Sequence, residues 1–161
     1  MILAARTGGM GVNATAQMAG VSKLTVLRVL AVAGMLALDY HDLVVRNLPT
    51  ARVEVNELWS FVGCKEKTKK AGSEGHGDAW ARVAIDADHK LDLGFLVGAR
   101  DWESATMFMQ DVASRLKRRV QLTSDGHSAY PEAVEAALGG SVDYAQFVRG
   151  YEAERPGEAR Y

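Results

Sequence analysis

The stretch VQLTSDGHSAY, from Val120 to Tyr130, begins as an alternating apolar run and ends on a carboxylate, Asp125, followed by a glycine and a histidine. Val120 and Leu122 at a spacing of two describe a strand with one buried face. Asp125 at its end has two explanations. An Asp-Gly pair commonly turns the chain after a strand. A carboxylate at a strand end is also the residue type a divalent metal needs, because Mg²⁺ prefers hard, charged oxygen ligands. The choice between them depends on what the rest of the chain builds around this strand.

Upstream of Val120, the segment DWESATMFMQDVASRLKRR reads as an amphipathic helix. Asp101 is a good N-cap, Glu103 complements the first turn, and Ala105, Phe108, Val112 and Leu116 fall on one face. Before it, DAWARVAIDADHKLDLGFLVG predicts a hairpin. Val83 and Ile85 alternate on one arm, Leu91, Leu93, Phe95 and Val97 on the other, around the turn residues Asp86, Asp88 and His89. The stretch RVEVNELWSFVG, Arg52 to Gly63, is a first strand rich in valine and aromatics, and the polar, glycine-rich KEKTKKAGSEGHG is a loop. Downstream, SAYPEAVEAALGG is a short helix with Pro131 in its first turn and a glycine stop. VDYAQFVRG supplies a fifth strand. The order is strand, strand, strand, helix, strand, helix, strand. It predicts an α/β fold with a mixed sheet flanked by helices. The ribonuclease-H-like fold has this order, and other α/β folds begin in a similar way.

The first part of the chain differs in character. Residues up to about His41 read as helical, and Pro49 lies in the segment that connects them to the strands. Ala16, Gly20 and Val26 stand at the spacing of a helix-turn-helix: a small residue lets two helices touch, a glycine makes the turn, and a branched apolar residue packs the second helix back. Val21 and Val29 add core. Ser22 is a natural N-cap of the second helix, which would present Lys23, Thr25 and Arg28 to phosphates and base edges. An ordinary helical hairpin would share this spacing. A preceding helix would have to fit into MILAARTGG, which is short and carries a glycine pair. The expected division is therefore 1–48, a helix-turn-helix segment with an incomplete first helix, and 49–161, the domain of the mixed sheet.

Bulk properties narrow the field. With 161 residues and a formal net charge of -1, the chain has room for one real core and no global attraction to nucleic acid. Local clusters exist at Lys65, Lys67, Lys69 and Lys70, and at Arg115, Lys117, Arg118 and Arg119, and solvated loops or helix ends would account for them. The single cysteine, Cys64, excludes an intramolecular disulfide and a cysteine-rich zinc site, and a reducing cytoplasm is the expected compartment. No apolar run reaches membrane-spanning length, so no membrane partner is expected.

Several long strings carry a family likeness. NELWSFVGCKEK (56–67), GDAWARVAIDADHKL (77–91), LVGARD (96–101), MQDVASRLKRRVQLTSDGHSAYPEAVE (109–135) and DYAQFVRGY (143–151) resemble the DDE transposases of the insertion-sequence-one family. So does MAGVSKLTVLRVLAVAG (18–34) followed by YHDLVVRNLP (40–49), and the similarity runs from about Asn13 to the last residue. The resemblance implies a helix-turn-helix that reads double-stranded DNA at the element's terminal repeats. It also implies a ribonuclease-H-like domain that cuts DNA and joins the freed end to a target. In such a domain clustered acids hold two Mg²⁺ or Mn²⁺ ions about 3.5–4 Å apart.

Carried over by position, Asp125 matches the second catalytic aspartate and is the metal ligand. His127 follows it and is expected to face solvent at the start of a helix, while Trp59, in the shared WSFV string, is expected in the core. The position of the first acid holds Asn56. An amide offers an oxygen but no charge, so cation binding is expected to be weak. Glu57 points to the opposite face of its strand and does not replace it. The family's third acid, a glutamate, lies beyond the last residue, and Glu152, Glu154 and Glu158 come too early and in the wrong context. The expectation is thus a truncated, catalytically impaired copy; the alternatives are a non-catalytic DNA-binding fragment that competes with an intact transposase, and a relic with no function. Without the later helices, one apolar face of the sheet would be left to self-association.

Overall fold

A computed structural model describes residues 1–148. It divides into two compact units, one ending at Val45 and the next beginning at Arg46.

The first unit is all-helical. α1 (Ile2–Thr7), α2 (Val12–Ala19) and α3 (Lys23–Val44) follow each other with tight turns. The turn between α2 and α3 rests on Gly20, whose φ of 65° lies in the left-handed region that a side chain would disfavour. Ser22 caps α3 by accepting a hydrogen bond from the Thr25 amide at 3.1 Å. Val26 is fully buried and Ala16 nearly so, and Val21 and Val29 are half-buried. Packing thus uses the small residue, the glycine and the branched residue that the spacing singled out. α3 continues for 22 residues, and by length and composition alone it is apolar enough to cross a membrane. That corrects the expectation that no segment reaches this length. Scanning for an unbroken apolar run passes over a helix in which Gly34 and Asp39 interrupt the apolar residues.

The second unit is a mixed α/β fold. β1 (Arg52–Val62), β2 (Gly77–Asp86), β3 (Asp92–Gly98), β4 (Val120–Asp125) and β5 (Val142–Phe147) form one five-stranded sheet in the order β3-β2-β1-β4-β5. β1, β2 and β3 are antiparallel neighbours, whereas β4 is parallel to β1 and to β5. α4 (Trp102–Arg115) and α5 (Tyr130–Leu138) supply the crossovers, as parallel strands require. The core lies between these helices and one face of the sheet. Val53 and Val55 of β1, Ala84 of β2 and Leu122 of β4 meet Phe108, Met109, Val112, Tyr130 and Val134.

Local chemistry explains the element ends. Asp101 caps α4, accepting from the Ser104 amide at 2.8 Å, and that bond holds its carboxyl below the usual range. Pro131 opens α5 and Gly139, at φ 48°, closes it. The β2–β3 turn is organised by buried Asp86. Its Oδ1 accepts from the amides of Asp88 and His89 at 2.8 and 3.0 Å, and its Oδ2 accepts from the Thr50 hydroxyl at 2.8 Å.

One detail departs from the expected alternation. The ladder shifts register between Ala84 and Ile85, so Leu93 and Gly94 are both buried. The period then restarts out of phase, and Phe95 and Val97 emerge exposed on the face away from α4 and α5.

Candidate functional site

The parallel register of β1 and β4 decides where the sequence-selected residues go. Val53 pairs with Leu122 and Val55 with Ser124, and all four are buried. The next residues, Asn56 and Asp125, therefore point to the opposite, open face. They line one depression of about 250 Å³ together with Glu54, Thr123 and Phe147. Asn56 and Asp125 are thus brought together. Glu54 is a member that sequence reasoning missed. It lies two residues before Asn56 on the same face of β1, so a period of two counted back from Asn56 would have found it.

The donor set can be tested against a pair of divalent ions. The depression offers the Asp125 carboxylate, the Asn56 amide oxygen and the Glu54 carboxylate. Among the described residues no three His, Cys, Asp or Glu side chains form a metal-holding group. Two carboxylates bring two negative charges against the four positive charges of two Mg²⁺ or Mn²⁺ ions, so the residues do not fit a two-metal centre. Glu152, Glu154 and Glu158 lie outside the described residues.

On the covered face, directly behind Asn56, lies a polar cluster. Glu57 stands opposite Arg82 on β2, with Oε1 3.3 Å from the Arg82 Nε. Its Oε2 accepts from the Arg100 Nε at 2.9 Å. The Arg82 Nη1 donates to the carbonyl of Ala99 at 2.9 Å. The arginine fork therefore holds the first strand of the site to the loop before α4.

His127 joins this cluster and corrects an expectation. It is only 7% exposed, not solvent-facing. Its Nδ1 accepts from the Ala129 amide at 2.9 Å, its carbonyl accepts from the Gln146 side chain at 2.7 Å, and its ring lies 5.3 Å from that of Tyr130. With Nδ1 accepting, the neutral ring carries its proton on Nε2, which lies 3.9 Å from Glu57 Oε1. Burial, with the charges of Glu57 and Asp125, pushes the Tyr130 hydroxyl well above its usual pKa. The turn after Asp125 is thus fixed from inside the protein.

Trp59 is a second correction. It is 43% exposed and tilted against Phe61 toward the end of the β1–β2 hairpin.

In the helical unit, Lys23, Thr25 and Arg28 are exposed along the first turns of α3. Ser22 is exposed too, but its oxygen is engaged with the amide and the hydroxyl of Thr25, the latter at 2.9 Å. Its part is to cap the helix. A cleft lined by Asn13, Gln17, Gly20, Ser22 and Lys23 runs along the α2–α3 turn.

No protein-family model matches this chain, and no curated protein matches it.

Proposed function

We propose that this chain is a transposase-type DNA-binding protein, of the kind found in the insertion-sequence-one family, in which strand cleavage is impaired. On this reading the helical unit grips duplex DNA through Lys23, Thr25 and Arg28 of α3, and the sheet is a ribonuclease-H-like scaffold. The observation that carries it is the juxtaposition of Asn56 and Asp125 on neighbouring parallel strands, lining one depression. The strand order supports the same reading. Impairment follows from chemistry. Asn56 removes a charge from the place where a cation would need it, and Glu57, turned to the other face, is committed to Arg82 and Arg100.

A chain that holds DNA without cutting it would compete with an intact transposase for the same ends. The open sheet face, with Leu58, Phe95 and Val97 exposed, supports association with a second copy.

The test is a labelled DNA duplex incubated with the purified chain in Mg²⁺ or Mn²⁺. Retardation that weakens steeply with salt, without cleavage, is expected. Cleavage lost on Asp125→Asn would overturn the impairment. Absence of binding at low salt would overturn the DNA reading altogether.

A further inference from the structure

We propose that the projecting end of the β1–β2 hairpin is a binding surface for single-stranded nucleic acid, with unpaired bases on Trp59 and Phe61 and phosphates on the lysines of the adjoining loop. The inference stands on the hairpin alone and does not depend on what the helical unit binds.

The topology exposes the surface. β4 pairs with β1 only as far as Val55, and β3 pairs with β2 only as far as Trp80. Residues 60–62 and 77–79 therefore continue as a two-stranded ribbon among the described residues. Glu57, Trp59 and Phe61 share one face, and Trp59 stands opposite Trp80. Along that face the ladder passes from apolar core to ion pair to aromatic rings.

The rings are open to a ligand. Trp59 is 43% and Phe61 45% exposed. Their centroids lie 5.8 Å apart at an interplanar angle of 42°, a tilted rather than stacked pair. Cations flank them. The Lys65 Nζ sits 5.1 Å above the Trp59 ring, and the Arg100 guanidinium 4.4 Å above Trp80. Lys69 is paired with Glu66 and Arg100 with Glu57, but Lys65, Lys67 and Lys70 make no ion pair among the described residues. Lys65 can leave the ring for a phosphate while a base takes its place.

This combination selects the ligand. Aromatic faces beside flexible cations match bases and phosphates that are presented separately, which is how a single strand presents them. In a duplex the base faces are already stacked. An acidic peptide would use the lysines and leave the rings idle.

The full chain is titrated with a short, fluorescein-labelled oligodeoxythymidylate, following anisotropy and tryptophan emission. Binding that quenches tryptophan and weakens with salt is expected. Trp59→Ala should lower affinity about five-fold or more, and Trp59→Phe should retain most of it. Lys90→Gln, an exposed cation in the β2–β3 turn, should leave this binding unchanged. Circular dichroism identifies a variant that fails to fold, and in that case the quenching of the native chain and the Trp59→Phe variant decide. No binding at low salt, binding without quenching, affinity indifferent to a folded Trp59→Ala, loss on Lys90→Gln, or equal quenching by polyglutamate would each overturn the proposal.

Discussion

Glu57 and Arg82 face each other across the β1–β2 ladder with Oε1 and Nε 3.3 Å apart, and neither side chain is more than 1% exposed. This pair lies between the apolar core and the aromatic end of the hairpin, and directly behind Asn56.

Removing one partner strands the other's charge. Arg82→Ala should cost about 3–5 kcal/mol in urea unfolding. The double variant Glu57→Leu with Arg82→Met should recover much of that loss, since a well-packed apolar pair often matches a buried ion pair. A single Arg82 variant as stable as the parent would mean the pair is not buried in solution.

Asp86 gives the hairpin turn a pH dependence. Burial alone would raise its pKa, but hydrogen bonds from His89, Thr50 and Asp88 outweigh it and bring the carboxyl down from 3.8 to about 2. A lowered folded pKa means that the carboxylate's contribution is complete above the unfolded value. It is lost as pH falls through the folded one. The stability difference between the native chain and Asp86→Asn should therefore be largest at neutral pH and shrink between about pH 4 and pH 2. A difference that stays constant across this window would contradict the assignment.

Restoring charge beside Asp125 should strengthen cation binding. Asn56→Asp is expected to raise Mn²⁺ affinity about ten-fold in calorimetry, because a third carboxylate joins Asp125 and Glu54 on the open face. We expect no cleavage from this change alone. Unchanged affinity would show that Asn56 and Asp125 do not share a ligand.

In the helical unit two kinds of change should separate. Lys23→Ala and Arg28→Ala should each weaken duplex binding and reduce the slope of affinity against salt by about one. Val26→Ala should instead lower the stability of the unit by about 2 kcal/mol, because it removes methyl groups from a fully buried site. If Val26→Ala were without effect, α2 and α3 would not pack as described.

Much of the architecture is written in local pattern. Asp101, Pro131 and Gly139 mark helix ends by their own backbone chemistry, and the apolar spacing of Phe108 and Val112 marks the buried face of α4 without reference to anything distant. The helix-turn-helix spacing works in the same way, since Ala16, Gly20 and Val26 act within one turn of chain. The alternation in β4 likewise put Asp125 on the face opposite Val120 and Leu122.

Relations between distant segments are not written there. Asn56 and Asp125 are 69 positions apart in the numbering, and they meet only because β4 enters the sheet parallel to β1 with Val55 against Ser124. The register shift beside Ala84 turns Phe95 and Val97 outward, which no period of two foresees. His127 is buried because Glu57, Gln146 and Tyr130 arrive from three other elements, and Trp59 lies on β1 past the last residue that β4 pairs with. Composition and spacing govern what a residue does to its own few neighbours in the chain. Which faces become core, groove or open surface depends on the register and reach of elements packed from afar, and only the assembled sheet sets those.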